Sequence, residues 1–154
     1  MNLHDLVSPK TAIRDIRAGT KPELLAELAG RAAFLSGLDR MKIFRALLDR
    51  EAIASSGLGL GVATPQARFG ELRNPLVLFV RLGHPLDFHA LDGRPVDLLF
   101  LLLGPDPATA AYLKLQVSAS RALREADIRQ HLRASFDVSS IAAALKDNAL
   151  CAHP

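Results

Sequence analysis

The N-terminal part of the chain carries apolar residues at helical spacing. In the first such segment they are Leu24, Leu25, Leu28, Ala32 and Leu35. This period predicts a helix over residues 21–36. Thr20, followed three residues later by Glu23, is typical of a capping box at its start, and Gly37 favours its end. The same spacing predicts a second helix over residues 40–54.

Two near-continuous apolar runs occupy the middle of the chain. Residues 75–82 (PLVLFVRL) and 95–103 (PVDLLFLLL) are typical of strands that are covered by helices on both faces. Asp92-Gly93 between them predicts a turn. A shorter strand is predicted at residues 11–16, where small or apolar residues alternate with charged ones. Helices before and after apolar strands favour an α/β layered fold.

The C-terminal third of the chain predicts further helices. Asp106 and Pro107 suit the N-cap and the first turn of a helix that ends near Leu123. Two shorter helices are predicted at residues 125–134 and 138–146.

The composition favours a single domain. Of the 154 residues, 49% are apolar, which suffices for one hydrophobic core. We expect residues 1–147 to form this domain and residues 148–154 to be a flexible C-terminal tail. The single cysteine, Cys151, cannot form a disulfide within the chain, so a reducing, cytoplasmic location is expected. No apolar run has the length of a membrane span, and residues 1–10 lack the pattern of a signal peptide.

The charge pattern disfavours nucleic-acid binding. The net charge is only +3, and the arginines are scattered among acids rather than clustered. With no tryptophan and one tyrosine, the chain offers few aromatic platforms on which bases stack. The five histidines are too dispersed to suggest a metal site. We therefore expect no nucleic acid, metal or cofactor among the ligands.

A glycine-rich segment, SSGLGLG at residues 55–61, follows the second predicted helix. It lacks the Gly-Lys-Ser/Thr ending of a Walker loop, and it is not framed by the strand and helix of a dinucleotide loop. Its glycines are best explained by a tight turn and a close backbone approach. The next four residues, VATP, leave room for a short strand at most.

The segment REAIASSGLGLGVATPQAR, residues 50–68, joins an acidic residue to an apolar–glycine pair and then to an alanine–proline run. The residues that define this layout are Glu51, Leu58, Gly59, Val62, Ala63, Pro65 and Ala67. The layout resembles the signature of enzyme IIA domains of the bacterial phosphotransferase system, of the mannitol/fructose class with its nitrogen-regulatory members. Residues 85–100 and 113–123 are similar to later parts of this family, so the resemblance spans roughly residues 1–147.

The resemblance implies a mixed β-sheet flanked by helices on both faces, in agreement with the α/β pattern. It also implies phosphoryl transfer, because the family accepts a phosphoryl group from a histidine phosphocarrier protein onto its own histidine. Nitrogen-regulatory members act mainly by docking onto proteins such as kinases and potassium transport systems, in a way that depends on phosphorylation. Weak self-association as a homodimer is also expected of the family.

Gln66 stands where the family carries its phosphorylated histidine. Imidazole is a good nucleophile near neutral pH, whereas the amide nitrogen of glutamine is delocalised into its carbonyl group and is a poor one. Phosphoryl transfer through residue 66 should therefore be lost. A second family histidine aligns with Lys114, two residues after Tyr112 and two before Gln116, so both imidazoles are replaced.

The resemblance assigns Arg50, Ser56, Gly59 and Lys114 to a phosphoryl or anion pocket around residue 66. Arg50 and Lys114 would form a cationic spot for an anion or for an acidic partner surface. Taken alone, Arg50 is better explained as a solvated arginine near the end of a helix, where it complements the helix dipole. The family context favours the role in the pocket.

Several functions stay open at this point. The first is a regulatory protein-binding domain locked in the unphosphorylated state, since Gln66 lacks the roughly −1.5 to −2 charge of a phosphoryl group. The second is an active phosphocarrier in which Gln66 is an engineered change, or in which His84 or His89 beside the hairpin turn accepts the phosphoryl group. The third is a small anion-binding module that uses Arg50, Lys114 and the glycine-rich segment.

Overall fold

The computed structural model describes residues 2–135 and 137–151, and the side chains of residues 2–135 and 137–146. Within these residues a short 3-10 helix at Leu3–Leu6 precedes six strands and five α-helices. The strands are β1 (Ala12–Ile16), β2 (Gly57–Gly59), β3 (Val62–Ala63), β4 (Gln66–Phe69), β5 (Leu76–Leu86) and β6 (Val96–Pro105). The helices are α1 (Lys21–Ser36), α2 (Arg40–Ile53), α3 (Ala110–Arg124), α4 (Ala126–Ala134) and α5 (Val138–Cys151).

The strands form one mixed sheet with the order β1–β5–β6–β3–β2. Its antiparallel centre is the β5–β6 hairpin, built from the two apolar runs of the sequence. β1 lies parallel to β5, and both β3 and β4 lie parallel to β6. Val62 pairs with Leu98 and Gln66 with Leu102, so β4 continues along β6 beyond the end of β3.

Helices cover both faces of the sheet. α1 and α2 share one core with alternate residues of β6, such as Leu101. α3, α4 and α5 share the other core with the intervening residues, such as Phe100. Because β6 is buried on both faces, its run of apolar residues shows no polar alternation. The predicted α/β fold, with a mixed sheet flanked by helices on both faces, is confirmed.

α1 begins as its capping residues predict. Thr20 Oγ1 accepts a hydrogen bond from Glu23 N at 3.2 Å, and the Glu23 carboxylate accepts one from Gly19 N at 2.9 Å. Gly37 ends the helix in the left-handed region, with a φ of 78°. A residue without Cβ adopts this conformation without strain, which explains the glycine at this position.

The predicted start of α3 at Asp106 is wrong. Thr109 caps the helix instead, and its hydroxyl accepts a hydrogen bond from Tyr112 N at 3.2 Å. Aspartate and threonine are both good N-cap residues, so the sequence pattern does not discriminate between Asp106 and Thr109.

β4 and the end of α5 extend beyond the predicted elements. β4 alternates polar and apolar residues, but it is only four residues long and directly follows Pro65, so the sequence pattern does not predict it as a strand. α5 continues to Cys151 and therefore crosses the predicted boundary after residue 147. The division into a domain of residues 1–147 and a flexible tail of residues 148–154 stays a prediction, and residues 152–154 lie outside the described part of the chain.

Candidate functional site

Gln66 is the first residue of β4, and its side chain meets α3. Strand alternation directs Ala67 into the core with α1 and α2, so Gln66 and Arg68 face the opposite side of the sheet. There Gln116 Nε2 of α3 donates a hydrogen bond to Gln66 Oε1. Gln66 Nε2 in turn donates to the Thr64 carbonyl oxygen at 3.5 Å. The two carboxamides thus pair with each other.

The pair lies in an open cleft of about 560 Å³ between β4 and α3. Its lining residues are Thr64, Gln66, Leu102, Gln116, Val117, Ser120, Arg121, Arg124 and Glu125. Amides, hydroxyls and two arginines make up most of its polar lining, and no histidine is among these residues. The cleft can bind hydrogen-bonding or anionic groups, but it offers no nucleophilic nitrogen to a phosphoryl group.

Tyr112 fixes α3 to the strand that carries this site. The residue is buried, and its ring lies so close to Gly104 that a Cβ there would overlap it. The Tyr112 hydroxyl donates a hydrogen bond to the Leu102 carbonyl oxygen at 3.2 Å. Leu102 is the β6 partner of Gln66. Tyr112 lies about one helical turn before Gln116, so this anchor sets the height of the amide pair above the sheet.

Burial and nearby charges both affect the pKa of the Tyr112 hydroxyl. Burial is the largest influence and raises the pKa of Tyr112 to about 12. The positive charges of Arg68 and Arg50, together with the Gln116 amide, act in the opposite direction. Tyr112 therefore stays protonated at neutral pH and acts as a hydrogen-bond donor.

Arg50 lies in the last turn of α2, where its side chain is exposed. Its charge reaches the Tyr112 hydroxyl, but Arg50 does not line the cleft, whose arginines are Arg121 and Arg124. The predicted role of Arg50 in binding an anion stays a prediction.

Ser56 lies in the turn between α2 and β2, and its hydrogen bonds are made by its backbone. Ser56 N lies 3.2 Å from each carboxylate oxygen of Glu51. The Ser56 carbonyl accepts a hydrogen bond from Thr64 N at 3.0 Å. The Ser56 hydroxyl is buried without a hydrogen-bond partner among the described residues. The Ser56 backbone thus helps to hold Thr64 in position, whereas the Ser56 side chain does not line the cleft.

Glu51, the acidic residue of the signature, has a structural role. Lys21 Nζ lies 3.0 Å from its carboxylate, and the two side chains are only 13% and 7% exposed. Lys21 also donates a hydrogen bond to the Phe88 carbonyl oxygen at 3.1 Å, and its Nζ lies 5.1 Å from the centre of the Phe88 ring. The ion pair joins α1 and α2 to the loop of the hairpin. Together with the Ser56 contact, it explains why an acid stands at this position.

Gly59 is not among the residues that line the cleft, and its predicted place in the anion pocket stays a prediction. It precedes the tight turn between β2 and β3 with a φ of 83°. The Asp92 carboxylate holds this turn by accepting a hydrogen bond from Leu60 N at 2.9 Å, and that bond is the main cause of the lowered pKa of Asp92. Gly59 pairs with Val62, about 13 Å along the strand direction from Gln66 at a rise of about 3.3 Å per residue.

Lys114 lies on α3, and its predicted place in the anion pocket also stays a prediction. Its side chain is exposed and does not line the cleft. Gln116 occupies the position opposite Gln66 instead. Because successive residues of an α-helix are rotated by about 100°, a shift of two residues moves a side chain to nearly the opposite side of the helix.

The far end of the β5–β6 hairpin holds His84 and His89, both exposed. The neighbouring pair Leu86–Val96 lies six residues from Leu102 along β6, or about 20 Å at the usual strand rise. His84 and His89 therefore lie far from the Gln66 cleft, and phosphorylation of either one stays a prediction.

The wall of the cleft that α3 forms beyond Gln116 was not predicted from the sequence. Ser120 and Arg124 follow Gln116 at intervals of four residues and so share its face of α3. That face is recognisable only when the rotation of the helix against the sheet is known. The buried residues Tyr112 and Leu115 set this rotation.

The described part of the chain has neither a cluster of metal-binding side chains nor a helix suited to span a membrane. There, no three side chains of histidine, cysteine, aspartate or glutamate lie together as a metal ion would require. None of the described helices combines the length and the apolar character needed to cross a bilayer.

Comparison with known proteins gives the family of the chain. The family described as "Phosphoenolpyruvate-dependent sugar phosphotransferase system, EIIA 2" matches residues 5–148. The chain belongs to this family. This EIIA protein is 41% identical over 141 residues to the nitrogen regulatory protein of Bradyrhizobium diazoefficiens, with 92% of each chain covered. It is 36% identical over 136 residues to that of Pseudomonas aeruginosa, with 88% of each chain covered.

Solved structures agree with this assignment. The nitrogen regulatory protein IIA-Ntr of Neisseria meningitidis superposes with a TM-score of 0.87 at 29% identity, over 93% of this chain and 98% of that one. The mannitol IIA protein of Escherichia coli shares the fold, with a TM-score of 0.74 at 17% identity over 90% and 97% of the two chains. The EIIA protein is thus of the nitrogen-regulatory type, as the sequence resemblance predicts. Its family points to a phosphocarrier protein as a partner.

Proposed function

We propose that this EIIA protein is a regulatory protein-binding domain locked in the unphosphorylated state. Its cleft and the surrounding face of α3 dock the histidine phosphocarrier protein and regulatory targets of the family's kind, such as kinases or potassium transport systems. The signal to these partners is constant, because residue 66 accepts no phosphoryl group. The proposal includes the cytoplasmic location expected from the sequence.

The observation that carries this proposal is the hydrogen bond that Gln116 donates to Gln66. Attack on a phosphoryl group requires a free lone pair on the attacking nitrogen. The Gln66 nitrogen is delocalised into its amide and directed at the Thr64 carbonyl group, and the Gln66 oxygen already accepts from Gln116. A Gln66 amide whose oxygen and nitrogen both have hydrogen-bond partners supports a static docking surface rather than a phosphoryl relay.

The surroundings of the cleft also support a docking role. Arg121 and Arg124 line it and can pair with acidic groups of a partner. Leu113 and Val117 on α3 are 51% and 55% exposed. Apolar residues rimmed by charged ones are typical of protein interaction surfaces. Without the charge of a phosphoryl group, this surface keeps its positive character.

The proposal is tested by NMR on the ¹⁵N-labelled protein. Titration with the unphosphorylated histidine phosphocarrier protein should shift the backbone amide signals of Gln116 and Val117 if this face docks the carrier. In a separate sample, catalytic amounts of enzyme I and the carrier with phosphoenolpyruvate should leave the spectrum of the EIIA protein unchanged. A new set of signals for β4 and α3 after addition of phosphoenolpyruvate would contradict the proposal.

An active phosphocarrier is the second candidate function. One form of it requires an acceptor outside the cleft, and His89 is the candidate because its Nδ1 lies 3.5 Å from an Asp87 carboxylate oxygen, which can orient the imidazole. Tandem mass spectrometry would then locate a phosphoryl group on His84 or His89, and the double variant His84→Ala/His89→Ala would lose it. The other form, an engineered Gln66, predicts that a histidine codon stands at this position in the source genome.

A further inference from the structure

A groove on α1 plays no part in the proposed function. It has a volume of about 570 Å³ and lies between α1, the start of α2 and the loop before β1. α1 and α3 pack on opposite faces of the sheet. The groove is therefore separated from the Gln66 cleft by the thickness of the sheet.

Phe34 gives this groove an apolar wall. Its side chain is 87% exposed, although it projects from a helix whose other face is well buried. Leu35 beside it is only partly buried and also lines the groove. A phenyl ring left in water forgoes the stabilisation that burial in this fold would bring. An exposed aromatic side chain beside an open groove is typical of a residue that contributes strongly to binding a partner.

Gly30 forms part of the groove next to Phe34. Glycine is a poor helix former in the interior of a helix, so its presence in α1 calls for a reason. A Cβ at this position would meet only the side chain of Arg40, with Nε at 3.6 Å, which is an ordinary contact. The φ of Gly30 is not in the positive range. Neither packing nor backbone conformation requires glycine here, and what the missing side chain provides is open space.

The rim of the groove is basic. Lys10, Arg31 and Arg40 line it against one carboxylate, Glu27, which lies 3.5 Å from Arg31. Among the described residues, neither Lys10 nor Arg40 has a carboxylate within 4.0 Å. A positive rim around an apolar groove complements an acidic segment that carries an apolar side chain. The same charge disfavours a second copy of this face, because like charges would oppose each other.

We propose that this groove is a second docking site of the EIIA protein, which binds an acidic amphipathic helix of a partner protein. An apolar side chain of that helix lies between Gly30 and Phe34, and its carboxylates pair with Lys10 and Arg40. Because the groove and the cleft lie on opposite faces of the sheet, this partner binds whatever the chemical state of residue 66.

The test uses a synthetic helix as a probe. A peptide of on the order of fifteen residues, long enough to form a helix, carries glutamates on one face and leucines on the other; its twin carries lysines in place of the glutamates. Added to the ¹⁵N-labelled protein, the acidic peptide should shift the amide signals of Gly30 and Phe34, with an affinity that falls as salt is raised. The lysine twin should bind at least tenfold more weakly.

Variants of the groove make the test specific. Gly30→Leu fills the groove with a good helix former, so it should keep the fold and weaken peptide binding at least tenfold. Phe34→Ser should do the same. Leu91→Ser, at the exposed tip of the hairpin (Leu91 is 108% exposed), is the matched control and should bind as the parent does.

Several results would overturn this second site. They are equal affinity for the lysine twin, unchanged affinity in both groove variants, or shifts confined to α3. Self-association that Phe34→Ser abolishes would assign the groove to a second copy of the chain instead. None of these measurements involves phosphoryl transfer, so failure here and failure of the proposed function are separable.

Discussion

Gln116 Nε2 donates a hydrogen bond to Gln66 Oε1 across the gap between α3 and β4. Both side chains are partly buried, and a polar group left unpaired in such a place costs about 1–3 kcal/mol. This bond satisfies the Gln66 oxygen and one N–H of Gln116, and the contact is part of what holds α3 against β4. Gln66 is thus a structural contact between β4 and α3.

This pairing predicts energetic coupling between the two glutamines. Gln66→Leu and Gln116→Leu should each lower the free energy of unfolding by about 1 kcal/mol, because each leaves the other amide without its partner. The double variant should lose less than the sum, with a coupling of about 0.5–1.5 kcal/mol. Urea denaturation of the four proteins measures it, and strictly additive losses would show that the hydrogen bond does not form in solution.

The buried ion pair of Lys21 and Glu51 should matter more than the surface pairs. Glu51→Ala leaves the Lys21 ammonium group without its partner and should lower the free energy of unfolding by about 3–5 kcal/mol. The control is Glu71→Ala, which removes the exposed pair with Lys42, where both side chains are about half exposed, and should cost under about 1 kcal/mol. Similar losses of unfolding free energy in the two variants would show that the Lys21–Glu51 pair contributes no more to stability than an exposed pair.

Arg81 should hold the end of α4 against the sheet. Its side chain is 11% exposed, and its Nη1 donates to the carbonyl oxygens of Leu132, Arg133 and Ser135. Arg81→Met removes these charged hydrogen bonds and should cost about 2–3 kcal/mol. Hydrogen exchange should accelerate first in α4, whereas the exposed control Arg121→Met should leave both stability and exchange nearly unchanged.

Tyr112 predicts a loss of stability in alkali. Its pKa is raised from 10.0 to about 12 by burial, so the folded protein holds this proton more tightly than the unfolded chain. Its contribution is complete below pH 10 and is lost as the pH rises from 10 towards 12, by about 2 kcal/mol at pH 12.

Because Tyr112 is the only tyrosine in the chain, its ionisation can be followed by ultraviolet absorbance without overlap. Tyr112→Phe should lack this part of the pH dependence of stability. A titration midpoint near 10 in the folded protein would show that the hydroxyl is accessible to water.

Much of the architecture follows from local patterns in the sequence. The helical spacing of apolar residues predicts α1. The near-continuous apolar runs predict β5 and β6, because strands that are buried on both faces are apolar at nearly every position. The signature places Gln66 at the site because proline and alanine neighbours mark its position along the chain. These features depend on contacts between residues that are near in sequence.

Features that depend on the rotation or register of distant elements were harder to predict. The resemblance aligns the second family histidine with Lys114, yet Gln116 is the residue that faces β4, because Tyr112 fixes the rotation of α3 through its bond to Leu102. Gly59 also belongs to the signature. It pairs with Val62, four residues before Gln66, and therefore lies away from the cleft.

The most direct test of the central claim is the intact mass of the protein after incubation with enzyme I, the histidine phosphocarrier protein and phosphoenolpyruvate. The chain with Gln66 should keep its mass, and the Gln66→His variant in the same mixture should gain one phosphoryl group, which proves that the relay is working. A phosphoryl mass on the unaltered chain would contradict the account.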